Sequence, residues 1–206
     1  QVQNVGTLAT TVTVDFGTNI GGSFAPANET VALAPGASAT FLQNTGQFGL
    51  TAGKYIGSAT ITTDNGQPVV AIVNQVALGG TVVGTAYNGF NPADATAQVS
   101  APLIMSNNSG YYTGIQVMNV GAAAVDITVD YGPNIAGTFN PANEVATINP
   151  GDSYNSIQSS GAWGTNKYVG SLVVTAPAGS QIVMIVNQVL LGSGGDTFMT
   201  YNGFNY

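Results

Sequence analysis

The sequence predicts an all-β protein made of two tandem antiparallel β-sandwich domains of about seven strands each. Three observations predict this fold class: an internal repeat with an offset of about 114 residues, alternation of apolar and polar residues along short runs, and glycine turns between the runs. The chain of 206 residues is long enough for two domains of about 100 residues, a size that folds without disulfides.

The internal repeat covers nearly the whole chain. Residues 2–6 (VQNVG) match residues 117–121 (VMNVG). Four further segments match in the same way: 12–17 with 127–132, 54–58 with 167–171, 72–76 with 185–189, and 87–91 with 201–205. A short linker of small residues follows the first copy, so we predict repeat 1 over 1–95 and repeat 2 over 96–206.

Alternation predicts strands with one buried face. Along 125–131 (VDITVDY) the apolar residues fall on one face, and Asp126, Thr128 and Asp130 fall on the other. The turn sequences Pro35-Gly36 and Pro150-Gly151 predict type II turns, because proline fixes φ and glycine accepts a positive φ. Residues 64–66 (DNG) predict a hairpin turn.

One strand of each repeat is apolar without alternation, at residues 69–73 and 182–186. Such a run is typical of a strand buried on both faces. Since one sandwich buries only one face, the other face must meet the sister repeat, another chain or a covering loop. The residues predicted to lie on assembly strands are Val69, Val70, Ile72, Ile182, Val183, Ile185, Leu103, Ile104 and Met105.

The two repeats begin at different points. Gln1 matches Gln116, so residues 101–115, one strand and half of the next, have no counterpart in repeat 1. Three interpretations remain: the chain is a window of a longer repeat protein, repeat 1 is completed by a strand from a neighbouring subunit, or repeat 1 does without the strand. The first two imply an extended assembly, because an unpaired sheet edge invites pairing.

The composition excludes several classes of function. Lysine and arginine total 2, aspartate and glutamate total 9, and histidine and cysteine are absent. Zinc, haem and iron–sulfur sites therefore lack their usual ligands, and a Ser-His-Asp triad is impossible. A formal charge of -7 without arginine excludes a basic nucleic-acid-binding face. We expect a protein that is not an enzyme and has no cofactor.

The chain also lacks the signals of a membrane protein. No apolar run approaches the roughly 20 residues that a membrane-spanning helix needs. No signal peptide is visible, so a secreted protein would be present in its mature form. The scarcity of lysine and arginine leaves few cleavage sites for trypsin-like proteases, which favours an extracellular or cell-surface location.

Paired carboxylates are the remaining catalytic pattern in the sequence. Asp15 with Glu29 recurs as Asp130 with Glu144, but both aspartates fall on the outward face of their strand, which indicates solvated surface charge. Oxygen atoms are the only metal ligands that the chain offers, which makes calcium the candidate metal, in loops 17–29 and 132–144. Ordinary asparagine and glycine loop chemistry explains the same residues.

Two kinds of covalent modification also have candidate residues. Lys54 and Lys167 occupy the same repeat position and are candidates for Lys–Asn isopeptide bonds, with Asn74, Asn88, Asn187 or Asn202 as partners. The alternative is a lysine beside an acidic loop. Asn28 and Asn107 begin sequons for N-glycosylation, which a host with that machinery would use.

Aromatic residues provide candidate ligand contacts. A Tyr-Asn-Gly-Phe motif ends each repeat and contains Tyr87, Phe90, Tyr201 and Phe204, which would stack on sugar rings if exposed or close the sandwich if buried. Trp163 is the single tryptophan and lies in a loop, where it is either an adhesive contact or a loop anchor.

The pattern resembles the tandem immunoglobulin-like β-sandwich repeats of prokaryotic cell-surface and filament proteins. The residues that carry it are the VxNVG start, the Pro-Gly turn, the YxGS strand, and the VNQV strand that leads to YNGF. The resemblance implies a stalk, sheath, pilus or surface layer. We therefore expect a structural subunit that binds copies of itself or flanking repeats, with an adhesin stalk or a module that binds cell-surface glycans as the alternative.

Overall fold

The computed structural model describes residues 1–49, 53–77, 83–191 and 197–206. Within these ranges the chain forms sixteen β-strands and two short 3₁₀ turns, and no α-helix. Strands pair antiparallel in four sheets, which confirms the all-β sandwich predicted from the alternation and the turns.

The strands of each repeat follow one another with short connections. Repeat 1 contains β1 (Val2–Asn4), β2 (Thr10–Phe16), β3 (Glu29–Leu33), β4 (Ser38–Ala39), β5 (Ala59–Thr63), β6 (Val69–Ala77) and β7 (Val83–Asn88). Repeat 2 contains β8 (Gln98–Ser106), β9 (Tyr111–Asn119), β10 (Val125–Tyr131), β11 (Glu144–Ile148), β12 (Ser153–Ile157), β13 (Tyr168–Thr175), β14 (Ile182–Leu190), β15 (Phe198–Asn202) and β16 (Phe204–Asn205). The 3₁₀ turns are Gly46–Phe48 and Pro92–Asp94.

Repeat 2 is a sandwich of two sheets around a large apolar core. One sheet has the order β11-β10-β13-β8-β16 and the other β12-β9-β14-β15. Residues of both sheets form its core, among them Ile104, Leu172 and Ile182, which are fully buried. Sixteen buried residues belong to this core.

Repeat 1 has the same layout with fewer strands and a smaller core. Its sheets have the orders β4-β1-β6-β7 and β3-β2-β5 among the described residues. Only Val2, Val12 and Leu33 form its buried core cluster. In repeat 2, β8 supplies three of the buried residues of the core, Val99, Ala101 and Ile104.

By its contacts the chain divides into two compact units. Unit 1 is Gln1–Val73 with Gly151–Ser153, and unit 2 is Asn74–Pro150 with Tyr154–Tyr206. This division passes through β6 and therefore differs from the repeat boundary. The boundary predicted near residue 95 falls between the 3₁₀ turn Pro92–Asp94 and β8, and it stays a prediction about the sequence repeat.

The turn chemistry follows the sequence. Gly36 and Gly151 both have a φ of 76°, and Gly66 has a φ of 72°. These positive values are strained for residues with a Cβ, so the Pro-Gly and Asn-Gly turns require glycine at these positions.

A buried asparagine explains why the VxNVG segment occurs in both repeats. Asn119 is fully buried, donates from Nδ2 to Ala123 O (2.8 Å) and Ile148 O (2.9 Å), and accepts from Gly121 N (2.9 Å). Asn4 makes the same three bonds in repeat 1. Each asparagine satisfies backbone groups that would otherwise be buried without a partner.

We predict that Asn119→Ala lowers the free energy of unfolding of repeat 2 by about 2–4 kcal/mol, since each buried polar group left unpaired costs about 1–3 kcal/mol. Urea denaturation followed by the fluorescence of Trp163, which lies in the same core, measures this change. The control is Asn140→Ala on an exposed loop, where we expect a change within about 0.5 kcal/mol. Equal changes in the free energy of unfolding for the two variants would contradict the structural role assigned to Asn119.

Candidate assembly surface

The apolar strands of the two repeats, β6 and β14, differ in solvent exposure. In β14 the five residues from Ile182 to Val186 are all buried, as predicted for a strand covered on both faces. In β6 the matching residues alternate between partly buried and exposed, and the exposed side chains point away from the core. Val70 is 52% exposed where Val183 is 3% exposed, and Ile72 is 40% exposed where Ile185 is 8% exposed.

The outer face of β6 is therefore an apolar surface open to solvent, and we call Val70 and Ile72 the β6 patch. Val69, on the inner face, is partly buried against the small core of repeat 1. Of the predicted assembly residues, the two residues of the patch and Leu103 of β8 are exposed. Ile182, Val183 and Ile185 are covered within the folded chain.

The three predicted assembly residues on β8 have different roles. Ile104 and Met105 are buried, whereas Leu103 is exposed. Met105 N donates to Thr113 Oγ1 and Met105 O accepts from the same hydroxyl, both at 3.1 Å, so the end of β8 is tied to β9. Ser106 Oγ is the one buried side-chain polar atom without a hydrogen-bond partner among the described residues.

A second open feature of repeat 1 is the edge of β5. In repeat 2, β13 lies between β10 and β8, and both of its edges are paired. In repeat 1, β5 pairs with β2 on one side and ends the described sheet on the other. Residues 55–57, which match the start of β13, form no strand.

The loops with candidate calcium ligands are held by their own asparagines. Asn134 Nδ2 donates to Phe139 O (3.0 Å) and Lys167 O (2.9 Å), and Asn134 Oδ1 accepts from Ala136 N (2.9 Å). Asn19 makes the matching bonds in repeat 1, to Phe24 O and Lys54 O. No group of three or more acidic residues that could hold a metal ion occurs in the described parts of the chain.

The repeated tyrosine of the YxGS segment also serves the fold. Tyr168 OH donates to Gly132 O (2.8 Å) and to Ser171 O (3.1 Å). Tyr55 OH makes the same pair of bonds in repeat 1, to Gly17 O and Ser58 O. The hydroxyl joins two neighbouring strand ends, which explains why both repeats keep a tyrosine there.

Trp163 is a loop anchor and has no face free for a ligand, since it is 6% exposed. Its ring packs edge-on against Tyr131, Phe139 and Tyr168, with centroids 4.9, 5.4 and 5.3 Å away. Phe48 takes the same position in repeat 1. The sequence interpretation missed this pair, although the spacing GxFG at 46–49 and GxWG at 161–164 signals it.

The other candidate aromatic contacts differ in exposure. Tyr87, Phe90 and Tyr201 are partly buried. Tyr201 OH donates to Leu103 O (2.5 Å), so this tyrosine ties β15 to β8. Phe204 is 59% exposed and pairs through its backbone with Ser100 of β8.

The paired carboxylates are engaged in different ways. Glu144 accepts hydrogen bonds from Tyr131 OH (2.9 Å), Ser156 Oγ (3.0 Å) and Tyr154 OH (2.6 Å). Burial raises the pKa of Tyr131 and of Tyr154, and the adjacent carboxylate adds to the rise. Gln158, fully buried, extends the network to Tyr131 OH (3.3 Å). This arrangement holds the end of the sandwich together.

The other carboxylates of these pairs lie closer to solvent. Asp15 is exposed, and Glu29 accepts from Gln47 Nε2 (2.9 Å). Asp130 accepts from the side chain of Asn143 on the same surface. The surroundings of Asp15 and Asp130 fit their interpretation as surface charge, whereas Glu144 belongs to the hydrogen-bonded network described above.

The candidate modification sites lie on the surface. The side chains of Lys54 and Lys167 are exposed, and the bonds in which these residues are seen go through their backbone carbonyls. Asn28 is exposed in the loop between β2 and β3. Asn107 has a positive φ of 45° and donates from Nδ2 to Thr165 O (2.6 Å), so this amide is already engaged.

Comparisons with known proteins add little to this geometry. No protein-family model matches the chain, and no curated protein matches it. The chain is similar to the crystal structure of Thermotoga maritima 1070, with 16% identity and a TM-score of 0.44 over 54% of this chain and 96% of that chain. At this TM-score the likeness establishes neither a shared fold nor a shared function. In the described ranges no helix is long and apolar enough to span a membrane.

The buried tyrosines predict a loss of stability at high pH. Burial raises the pKa of Tyr201 from 10.0 to about 12. Because the unfolded chain releases this proton first, the stabilisation is complete below pH 10 and is lost as the pH rises from 10 to about 12. Urea denaturation at stepped pH should show this decline, and Tyr201→Phe should make it shallower. An ultraviolet titration in which every tyrosine ionises near pH 10 would contradict the prediction.

Proposed function

We propose that the protein is a structural subunit of an extracellular filament, sheath or surface layer. The observation that carries this proposal is the β6 patch, an exposed apolar strand face whose counterpart in the same chain is buried. Covering such a face with another molecule removes apolar surface from water, which is the main driving force of protein association.

The small number of charged residues supports close packing of many copies. Charged residues make up 5% of the chain, against about 25% in an ordinary soluble domain. The described residues also expose fifteen large apolar or aromatic side chains. Few charges need to be desolvated when such surfaces meet, so the cost of assembly is low.

The hydrogen bonding of the repeated residues supports a structural role as well. Asn4, Asn19 and Tyr55, each with its counterpart, donate hydrogen bonds to backbone carbonyl groups of other segments of the same repeat. The side chains that the two repeats share therefore stabilise the fold. The resemblance to tandem repeats of prokaryotic surface proteins agrees with such a role.

Electron microscopy of the purified chain tests the proposal. We expect ordered filaments or sheets from the unaltered protein, and dispersed particles from the double variant Val70→Lys, Ile72→Lys. The control is Thr30→Lys, Thr62→Lys, which adds the same charge at polar positions of repeat 1 outside the β6 patch and should still assemble.

Monodisperse particles of the unaltered protein over a wide range of concentration and salt would contradict the proposal. Saturable binding of such particles to a glycan, lost in Tyr201→Ala without unfolding, would favour the adhesin alternative. Assembly of the Val70→Lys, Ile72→Lys variant to the extent of the control would show that the β6 patch is not the contact surface.

A further inference from the structure

We infer that the Thr113 hydroxyl and the Gln158 side-chain amide react with each other to form an ester bond within repeat 2. Thr113 lies on β9, and Gln158 follows the last residue of β12. Thr113 Oγ1 donates to Gln158 Oε1 at 3.0 Å, so the hydroxyl already contacts the amide that it would attack. The bond would form whether or not copies of the chain assemble.

Both side chains are removed from water. Thr113 is 2% exposed, and Gln158 has no exposed surface. Glutamine is seldom buried to this extent, because its amide loses contact with water and needs hydrogen-bond partners in the protein. Burial also keeps away the water that would otherwise compete with the hydroxyl and hydrolyse the ester.

Backbone contacts hold the two reacting groups together. Met105 N donates to Thr113 Oγ1, and Met105 O lies within hydrogen-bond distance of the same hydroxyl, both at 3.1 Å. Gln158 N donates to Thr113 O at 2.9 Å, so the two residues are also joined through their main chains. Well-oriented groups in one molecule reach effective concentrations of about 10⁵–10⁸ M, which is the advantage that an unreactive amide needs.

The nitrogen of the amide lies among groups that exchange protons. Gln158 Nε2 donates to Ser156 Oγ (3.2 Å) and to Tyr131 OH (3.3 Å). Both hydroxyls in turn donate to Glu144 Oε1, at 3.0 Å and 2.9 Å. The nitrogen that must leave is therefore joined through two hydroxyls to a carboxyl group, which is an arrangement suited to proton transfer.

The reaction exchanges one acyl bond for another. Thr113 Oγ1 forms a bond to Gln158 Cδ, and the bond between Cδ and Nε2 breaks. The proton that Oγ1 loses ends on Nε2, so the products are the ester and one molecule of ammonia. No oxidant, reductant or further reactant takes part, and the escape of ammonia into solution prevents the reverse reaction.

The ester would fasten an edge strand to its neighbour. In the sheet β12-β9-β14-β15, β12 is the outermost strand and pairs with β9. Residues 113 and 158 are 45 positions apart, so a pulling force could not extend the segment between them, which would span about 150 Å when fully stretched. Repeat 2 would thereby resist tension in a chain that has no cysteine and hence no disulfide.

Mass spectrometry of a pepsin digest of the folded chain tests the inference. We expect one species that contains both Thr113 and Gln158, with a mass lower by one ammonia than its two peptides together. Thr113→Val keeps the shape of the side chain and should abolish this species, whereas Thr113→Ser keeps the hydroxyl and should retain it. The linked species is the readout, because a succinimide at Asn65-Gly66 would lower the total mass by the same amount.

Two further measurements identify the bond as an ester between these residues. Mild alkali should separate the linked species and leave a glutamate side chain at position 158, where Thr113→Val should yield glutamine. Unfolding under force should extend the unaltered chain by about 150 Å less than Thr113→Val. Recovery of residues 113 and 158 only in separate peptides from the folded, unaltered chain would overturn the inference, and so would an equal amount of the linked species in Thr113→Val.

Discussion

The pairing of β8 with β13 is the interaction on which the rest of repeat 2 depends. It satisfies the backbone of β13 along its second edge and places Val99, Ala101 and Ile104 over the core. A strand in this position both ends the exposure of a sheet edge and removes apolar side chains from water. Repeat 1 has the same buried asparagine, and its buried core cluster consists of Val2, Val12 and Leu33.

The two repeats are most similar at residues whose side chains form hydrogen bonds with backbone groups of loops and strand ends. These shared residues therefore have a structural role. Asn119, Asn134 and Tyr168 each bind two or more backbone groups, and their counterparts in repeat 1 do the same. None of these residues is free for chemistry. The two copies differ in exposure on the outer face of this apolar strand, where Val70 of β6 is exposed and Val183 of β14 is buried.

Much of the fold could be predicted from the sequence, because alternation and glycine turns are local signals. The all-β class, the two Pro-Gly turns and the strand 125–131 are examples. The exposure of Val70 could not be predicted, since residues 69–73 read like the buried 182–186 and burial depends on what lies above the strand. The burial of Trp163 could not be predicted either, because whether a loop residue packs into the core depends on how the rest of the chain folds.

The most direct test of the central claim is hydrogen exchange of residues 168–175 in the unaltered chain and in the variant Ile104→Asp, which places a charge in the core at β8. If repeat 2 depends on the pairing of β8 with β13, the amides of β13 should lose most of their protection in this variant. The control Leu103→Asp changes an exposed side chain of the same strand and should leave the protection nearly unchanged. Equal protection in all three chains would contradict the account.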